Sequence, residues 1–494
     1  MIAEIPDLIA KRAELTPQRI AFEDLATGRT LTFAELDARA ARAAALMAAR
    51  GVAKGDRVAI LTRNRIEFFE TLFGCAKLGA ILVPLNWRMP PAELDGLVAD
   101  AAPVLLFHGA EEAAAARALA EPLPAIDFDE DYEAGLAEAA IIAWRPRWPA
   151  GSTWYLLYTS GTTGRPKGVI YTYRMAVANY VNVGTCIDIA STDTTISFLP
   201  VFHTAGINLH ALPTLIAGGR VIVMDGFDAE ALVRLIEARR LDTIFGVPTV
   251  YQDLLDHPRF AGAPLDAVRH WGSGGAPLPD AIALRYRELG VRICNGMGMT
   301  ETGPTAFLMG QADAWERIGS VGKPQTLVSA RIVDGEDRAL PDGEVGDLQF
   351  AGPGVTPGYW RNEEATRAAF TADGWLRSGD LARRDADGFF YIAGRRKEMF
   401  ISGGENVYPA EVENVLSAHP AVVGVAVLAE ADPKWGEVGR AFVQLAPDGG
   451  HPDGAELTAF CRARLAPYKV PRRFEFVAEF PRTSAGKIQK HLLA

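Results

Sequence analysis

Cysteine is scarce in this sequence of 494 residues, which has only Cys75, Cys186, Cys294 and Cys461. None of them stands at metal-ligand spacing from another, so a zinc-ligating or disulfide-stapled scaffold is excluded. We therefore expect a reduced setting, the cytoplasm. The opening MIAEIPDLIAKRAEL interrupts its apolar runs with charged residues and predicts no signal peptide.

Long apolar runs and an excess of basic residues are also missing. No uninterrupted apolar run approaches the about 18 residues that span a bilayer, which predicts no transmembrane segment. The chain has 50 Lys and Arg against 61 Asp and Glu, a net charge of −11. Sequence-independent nucleic-acid binding needs a basic surface, so we expect no nucleic-acid partner.

What is present is the composition of a globular protein, with 49% apolar and 22% charged residues. Short apolar runs alternate with segments of helical periodicity: 56–62 reads as a strand, 66–80 as a helix and 81–85 as a strand. The alternation returns between 194 and 250, which predicts an α/β fold of layered, doubly wound parallel sheets. The Ala- and Glu-rich stretch 109–140 reads as helical surface.

The amino-acid composition changes near residue 320. Residues 320–394 are rich in Gly, Pro and Asp turns with short alternating strands, which predicts a small β-rich subdomain. We expect a large N-terminal domain over 1–394 and a smaller α+β domain over 395–494. The tail 462–494 has eight basic and two acidic residues; it is either a solvated face or a surface that neutralises a phosphorylated ligand.

A Gly-, Ser- and Thr-rich loop, TSGTTGRPKG, follows the apolar run WYLLY at 154–158. Glycines let backbone N–H groups approach an anion, hydroxyls donate hydrogen bonds, and Lys167 adds a positive charge, so the loop reads as a phosphate cradle rather than a polar surface loop. It does not match the P-loop of nucleotide triphosphatases, and the segments at Gly272 and Gly296 fail the dinucleotide fingerprint.

This loop resembles the signature of the adenylate-forming (AMP-forming) acyl-CoA synthetases, a superfamily that includes luciferases and the adenylation domains of peptide synthetases. Further motifs of that family follow in order along nearly the whole chain: LPVFHTAG (199–206), GSGGAPLP (272–279), GMGMTETG (296–303), GWLRSGDLA (374–382), GRRKEMFISGGENVYPAEVE (394–413) and PRTSAGKIQK (481–490). The resemblance implies an acid–thiol ligase that uses ATP, Mg²⁺ and CoA. A carboxylate attacks the α-phosphate of ATP to give an acyl-adenylate, and the CoA thiol then displaces AMP.

The resemblance also assigns roles to residues. The catalytic residues it implies are Lys487, Glu301 and Lys167, and the magnesium ligands are Thr159 and Glu301. Asp380 would accept the ribose hydroxyls, and Met297 stands where the family commonly places an aromatic residue against adenine. The full set implied for ATP is Thr159, Ser160, Gly161, Thr162, Thr163, Gly164, Lys167, Gly274, Gly275, Ala276, Met297, Gly298, Thr300, Asp380 and Arg395.

For the acid, the segments that should line the pocket are mostly apolar and contain no Arg. They favour a fatty acid or an arylpropenoic acid of the ferulate type over a dicarboxylate. The residues we expect against the acid are His203, Val247, Tyr251, Gly274 and Met299. Amino-acid-activating relatives usually carry Asp at the position of His203, so His203 argues for an acid without an α-amino group.

The resemblance further implies a hinge at Lys397, about which the C-terminal domain rotates between the two half-reactions. The residues expected to bind CoA are Gly403, Gly404, Glu405, Trp435 and Tyr468. The alternatives are an enzyme that delivers an adenylated amino acid or aryl acid to another acceptor, a luciferase-like oxygenase, and a non-catalytic acyl- or nucleotide-binding protein. A homodimer is one open alternative for the assembly.

Overall fold

The computed structural model describes residues 2–120, 122–140, 146–159, 166–447, 450–483 and 487–493. Within them the chain forms two large sheets, a smaller antiparallel sheet and a C-terminal sheet. The first large sheet orders its strands as Lys167–Thr172, Thr153–Thr159, Ile81–Pro84, Arg57–Leu61, Leu105–His108 and Ala125–Asp127. Its strands are parallel except for the first pair, which is an antiparallel hairpin.

The second large sheet has a parallel centre and antiparallel edges. Its strands run in the order Lys323–Pro324, Phe307–Leu308, Ile293–Met297, His270–Ser273, Thr243–Gly246, Thr194–Ser197, Arg220–Val223, Ile20–Asp24 and Thr30–Thr32. The short strands Glu4–Pro6 and Arg147–Pro149 pair separately.

Helices cover both faces of the two large sheets. One apolar core joins both sheets through the helices Phe33–Ala49 and Ile66–Leu78, which lie between them, and further cores lie on the outer faces. This layering confirms the predicted α/β, doubly wound fold. The α-helices before residue 320 are Leu8–Leu15, Phe33–Ala49, Ile66–Leu78, Pro91–Ala101, Ala113–Arg117, Tyr132–Glu138, Tyr173–Ile187, Ala211–Ala217, Ala229–Glu237, Pro248–Asp256 and Asp280–Glu288.

Local sequence explains where the central helices begin and end. Thr32 and Glu35 form a reciprocal capping box in front of Phe33–Ala49, which satisfies two backbone donors at the helix start. Ile66–Leu78 ends at Gly79, whose φ of 76° lies in the left-handed region that glycine adopts without a Cβ clash. The helix Ile66–Leu78 was predicted from its periodicity at 66–80.

The prediction for 109–140 is only partly correct. Helices form at Ala113–Arg117 and Tyr132–Glu138, but Ala125–Asp127 is an edge strand of the first sheet. Tyr132 is fully buried and donates its hydroxyl to Glu70 at 3.0 Å. The stretch therefore closes the core at that sheet edge and is not only surface.

After residue 320 the sheets become antiparallel. Ser329–Val333, Gly346–Ala351, Leu376–Arg384 and Phe390–Arg395 form the predicted β-rich unit, with the helix Glu363–Ala369 beside it. The C-terminal sheet orders Glu405–Val407, Phe400–Ser402, Gly436–Leu445 and Val422–Asp432, and Arg473–Phe476 pairs with Gly436–Leu445. The helices Pro409–Ser417 and Gly454–Arg462 complete this α+β lobe.

Short helical turns lie between these elements. They are the π-helix Ala205–Leu209 and the 3-10 turns Phe260–Gly262, Leu265–Ala267, Thr300–Thr302, Pro467–Lys469 and Lys490–Leu492. Two of them, Ala205–Leu209 and Thr300–Thr302, lie at the candidate active site.

Candidate active site

The predicted phosphate loop connects the two strands of the antiparallel hairpin in the first sheet. Thr159 ends one strand and Lys167 begins the next, and the two residues are direct partners in the strand register. The hairpin thus places the predicted magnesium ligand Thr159 opposite the predicted phosphate cation Lys167. The other predicted loop residues, Ser160, Gly161, Thr162, Thr163 and Gly164, lie outside the described part of the chain.

Glu301 lies in the 3-10 turn Thr300–Thr302 and is only 7% exposed. Tyr359 donates its hydroxyl to Glu301 Oε1 at 2.9 Å, and Lys167 Nζ lies 5.1 Å from the centre of the Tyr359 ring. Tyr359 therefore connects the hairpin to the acidic turn. This hydrogen bond occupies one carboxylate oxygen of Glu301 and fixes the direction in which the other points.

Glu301 fits a magnesium ion that is shared with a nucleotide. Mg²⁺ is commonly held by one or two carboxylates together with substrate phosphates, not by an all-protein cage. In the ranges that the structure describes, no group of three or more His, Cys, Asp and Glu could hold a metal. A single oriented carboxylate beside a phosphate loop suits this mode of binding.

Asp380 and Arg395 are brought together by the β-rich sheet. They are register partners on adjacent antiparallel strands, and Arg395 Nε lies 2.7 Å from Asp380 Oδ1. Asp380 is 5% exposed, and this burial raises the pKa of its carboxyl, although Arg395 and Lys487 act in the opposite direction. The acceptor predicted for the ribose hydroxyls is thus already oriented by a cation.

Lys487 reaches the same cleft from the C-terminal tail. It remains accessible to solvent, yet the surrounding protein lowers the pKa of its ammonium group, and the positive charge of Arg395 lowers it further. The carboxylates of Asp380 and Glu301 oppose that shift. The charge of Lys487 also acts on His203, whose pKa burial lowers to about 4. Residues separated by almost 300 positions therefore share one electrostatic environment.

A glycine-rich wall forms one side of the cleft. A Cβ at Gly274 would lie 3.0 Å from the Phe245 ring, and one at Gly298 would lie 1.6 Å from the carbonyl oxygen of Pro304. Gly275 has φ +83°, in the left-handed region. The remaining residues predicted beside them for the nucleotide are Ala276, Met297 and Thr300, of which the first two are half-buried and Thr300 is buried.

Of the residues predicted against the acid, Gly274 belongs to this wall and Val247 lies beside it. Val247 is half-buried and its Cγ1 would lie 3.5 Å from a Cβ at Gly275. Met299 is half-buried, and its backbone N–H donates to Thr302 Oγ1. His203 is half-buried, and its Nδ1 accepts from the backbone N–H of Ala205.

Tyr251 does not reach the cleft surface. Its side chain is fully buried between Trp271 and Tyr286, and its hydroxyl donates to the Gly272 carbonyl at 2.5 Å. The helix Pro248–Asp256 turns this ring into the outer core, so it supports the glycine-rich wall from behind. Phe245 is instead the aromatic residue that lines a narrow cavity beside the wall.

The residues predicted for CoA lie together on the C-terminal lobe. Gly403 and Gly404 form the turn between the strands Phe400–Ser402 and Glu405–Val407, with φ of 63° and 88°. A Cβ at Gly403 would lie 2.6 Å from the Trp435 ring, so the turn and the indole are in close contact. Glu405 and Tyr468 are on the same lobe, and Lys397 is exposed in the connection that precedes it.

Several positioning residues were not predicted from the sequence. Tyr359 had a usable signal, because an aromatic residue in the Gly- and Pro-rich stretch TPGYW marks an ordered turn. Lys490 contacts Glu398 and Glu413, at 2.5 and 2.8 Å, three residues after Lys487. Asn414 Nδ2 donates to Asp280 Oδ2 at 3.0 Å and connects the lobes.

Comparison with known proteins shows the family to which the chain belongs. The model of the AMP-binding enzyme family matches residues 9–360, and that of the AMP-binding enzyme C-terminal domain matches 411–487. The chain therefore belongs to the AMP-binding enzyme family. It is an ATP-dependent acid–thiol ligase that works through an acyl-adenylate and uses Mg²⁺ and CoA, as the sequence predicted.

Two curated relatives and one solved structure show the extent of the similarity. The feruloyl-CoA synthase of Amycolatopsis sp is 42% identical over 97% of this chain and 96% of its own. A long-chain-fatty-acid–CoA ligase of Mycobacterium tuberculosis is 34% identical over 98% and 97%. The O-succinylbenzoate–CoA synthetase of Bacillus subtilis, solved with ATP and a magnesium ion, is 33% identical over 99% of both chains, with a TM-score of 0.90.

No helix in the described ranges is both long and apolar enough to cross a membrane.

Proposed function

We propose that Lys487, Lys167 and a magnesium ion on Glu301 and Thr159 stabilise the first half-reaction. An oxygen of the acid's carboxylate forms a bond to the α-phosphorus of ATP, and pyrophosphate leaves. Both reactants are anions, so fixed cations around the transferring oxygens lower the barrier. The shared electrostatic environment of Lys487, Glu301 and Asp380 supports this assignment.

The nucleotide is held in this proposal by the two sides of the cleft. Asp380, oriented by Arg395, accepts the ribose hydroxyls, because an ionised carboxylate offers two acceptor oxygens. The wall of Gly274, Gly275 and Ala276 lies along adenine, where small residues allow close approach. Thr300 and Gly298 belong to the same surface, and Met297 covers the ring with its thioether.

In this proposal the arrangement of the lobes, in which Lys487 shares its electrostatic environment with Glu301 and Asp380, serves the adenylate-forming step. In the second step the CoA thiolate sulfur bonds to the acyl carbon and AMP leaves with the pair of electrons from the broken bond. We propose that rotation at Lys397, at the boundary between 1–394 and 395–494, replaces Lys487 by the Gly403–Gly404 turn. Glu405, Trp435 and Tyr468 would then bind the CoA arm.

For the acid, we propose an arylpropenoic acid of the ferulate type. The observation that carries this choice is the ring of Phe245, which lies 3.0 Å from the position of a Cβ at Gly274 in the glycine-rich wall and lines a small cavity with Leu199 and Ala205. An aromatic side chain packs favourably against the ring of an aryl acid. The similarity to feruloyl-CoA synthase supports the same class.

A medium- or long-chain fatty acid is the second candidate. The side chains of Ile196, Leu199 and Leu209 on the same cavity also suit an alkyl chain, and a relative of similar length is named a long-chain-fatty-acid–CoA ligase. Delivery of the acyl group to an acceptor other than CoA is a weaker alternative, because the Gly403–Glu405 turn with Trp435 is present as the resemblance requires.

The test is a pyrophosphate-release assay with ferulate, cinnamate, octanoate and hexadecanoate, each with and without CoA, and with the thioester measured by mass. We expect ferulate to give the highest kcat/KM and its thioester to form only with CoA. A higher kcat/KM for either fatty acid would replace the proposed acid class and leave the proposed residue roles intact.

The assembly and the location stay predictions. Sedimentation equilibrium or light scattering of the purified chain would test for a homodimer. Fractionation of expressing cells would test the cytoplasmic location.

A further inference from the structure

The helix Asp280–Glu288 follows the glycine-rich wall along the chain and is capped from the other lobe. Its own N-cap residue is Pro279, whose side chain has no oxygen to accept from the free backbone N–H groups of the first turn. Asn414 of the C-terminal lobe supplies that oxygen, because its Oδ1 accepts from the backbone N–H of Asp280 at 3.3 Å. The start of this helix is therefore completed by a side chain from beyond the proposed hinge.

A second hydrogen bond joins the same two residues in the opposite direction. Asn414 Nδ2 donates to Asp280 Oδ2 at 3.0 Å, so one amide both donates and accepts across the boundary between the lobes. An ionised carboxylate can only accept, and the pair therefore needs an amide facing a carboxylate. A second carboxylate at position 414 would remove the donor and place two negative charges together.

The helix that carries Asn414 also holds the C-terminal tail of the chain. On this helix, Pro409–Ser417, the neighbouring residue Glu413 accepts from the backbone N–H of Val427 at 2.8 Å. The same carboxylate oxygen lies 2.8 Å from Lys490 Nζ. The helix packs into the apolar core of the lobe, so the tail and the lobe form one body at this point.

Lys490 in turn restricts where Lys487 can lie, because three residues span at most about 11 Å. Hydrogen bonds with Thr483 restrict it further. The Lys487 backbone N–H donates to Thr483 Oγ1 at 3.1 Å, and the Thr483 backbone N–H donates to the Lys487 carbonyl at 2.7 Å. A displacement of the helix Pro409–Ser417 from Asp280 therefore also displaces Lys487 from the cleft.

We propose that Asp280 and Asn414 are positioning residues for acyl-adenylate formation, whose contact holds the C-terminal lobe in the arrangement that places Lys487 for this step. This inference rests on the proposed function, in which Lys487 acts in the first half-reaction. The contact takes no part in the bonds that form or break. It opens when the lobe rotates for the CoA step.

The test measures the half-reactions separately, as single-turnover acyl-adenylate formation and as thioester formation from pre-made acyl-adenylate. The acid is whichever of ferulate, cinnamate, octanoate and hexadecanoate gives the highest kcat/KM, so the result does not depend on the acid class. Asn414→Asp faces Asp280 with a second carboxylate. We expect it to slow acyl-adenylate formation by about three- to tenfold, the range for losing a hydrogen bond to a charged group near the surface, and not to slow thioester formation.

Exchanging the two side chains separates positioning from a general loss of stability. The double variant Asp280→Asn with Asn414→Asp again faces an amide with a carboxylate, and should return acyl-adenylate formation to within about twofold of the wild type. Glu411→Gln is the matched control, because Glu411 lies on the same helix but pairs with Lys469 inside the lobe, at 2.7 Å. It should leave both half-reactions unchanged.

Acyl-adenylate formation at the wild-type rate in Asn414→Asp would overturn the inference and leave the proposed role of Lys487 standing. Equal slowing of both half-reactions, or no recovery in the exchanged pair, would overturn it as well. Asp280→Ala removes the same side-chain contact from the other lobe and gives the decisive measurement if Asn414→Asp fails to fold. If Lys487→Ala slows both half-reactions equally, the proposed role of Lys487 and the inference are both refuted.

Discussion

Tyr359 offers the sharpest test of how the proposed magnesium site is built. Tyr359→Phe removes the hydroxyl that donates to Glu301 Oε1 at 2.9 Å and keeps the ring 5.1 Å from Lys167 Nζ. Glu301 is 7% exposed, so water can replace the lost donor only in part. A hydrogen bond to a charged group contributes about 1.5–3 kcal/mol, and loss of a residue that orients a metal ligand costs about 10–100-fold in metal affinity or activity. We expect the Mg²⁺ concentration for half-maximal activity to rise by about that factor.

The assay is pyrophosphate release without CoA, at saturating acid and fixed ATP, titrated with MgCl₂. Tyr359→Leu also removes the ring, and a cation–π contact of about 0.5–1 kcal/mol predicts a further rise in the KM for ATP of about two- to fivefold. Tyr391→Phe is the control, because Tyr391 donates to Asp385 at 3.2 Å in the β-rich sheet. A Mg²⁺ titration of Tyr359→Phe that overlays the wild type would refute the reasoning.

Three further predictions concern the tail, the hinge and acid stability. Lys487→Ala should slow acyl-adenylate formation by about 10²–10³-fold and thioester formation from pre-made acyl-adenylate far less; equal losses would contradict its assigned role. Lys397→Pro should slow the CoA step and spare pyrophosphate release, whereas a normal CoA step would exclude rotation at this residue. Burial lowers the pKa of His210 to about 3 and lowers that of His270 as well, so the unfolded chain binds more protons below pH 6.5. As the pH is lowered below 6.5, the free energy of unfolding measured with urea should therefore fall by about 1.4 kcal/mol per pH unit for each histidine, and His210→Leu should reduce that slope. An unchanged slope would contradict the neutral state of His210.

The parts of the fold that sequence patterns predicted are those with strong local signals. The helix Ile66–Leu78 has both the periodicity and the terminal Gly79, and the strand before the phosphate loop is a compact apolar run. The edge strand Ala125–Asp127 was missed because three residues in an Ala- and Glu-rich stretch carry no pattern of their own. It is a strand only because Leu105–His108 lies beside it.

The residues of the candidate site also fall into those that the sequence predicts and those that only packing determines. Lys487, Glu301 and Asp380 were predicted from motifs that resemble those of the family, because residue types and glycine-rich surroundings are local properties of the sequence. Tyr251 illustrates the limit, because a tyrosine in an apolar segment suits a pocket or a core equally well. Only the packing of its helix directs the ring toward Trp271, away from the acid.

The sequence by itself predicted the chemistry, through its composition and the motifs that resemble those of the family: a phosphate-binding loop, a carboxylate for magnesium, and cations for the transfer between two anions. Only the tertiary structure decided which side chains meet, such as Tyr359 with Glu301, Arg395 with Asp380, and His210 with Thr195. Hydrogen bonds and close charge pairs act over a few ångströms, whereas periodicity records only whether a residue faces the core of its own element. Contacts between elements follow from how the sheets and lobes pack, and that packing depends on the whole chain at once.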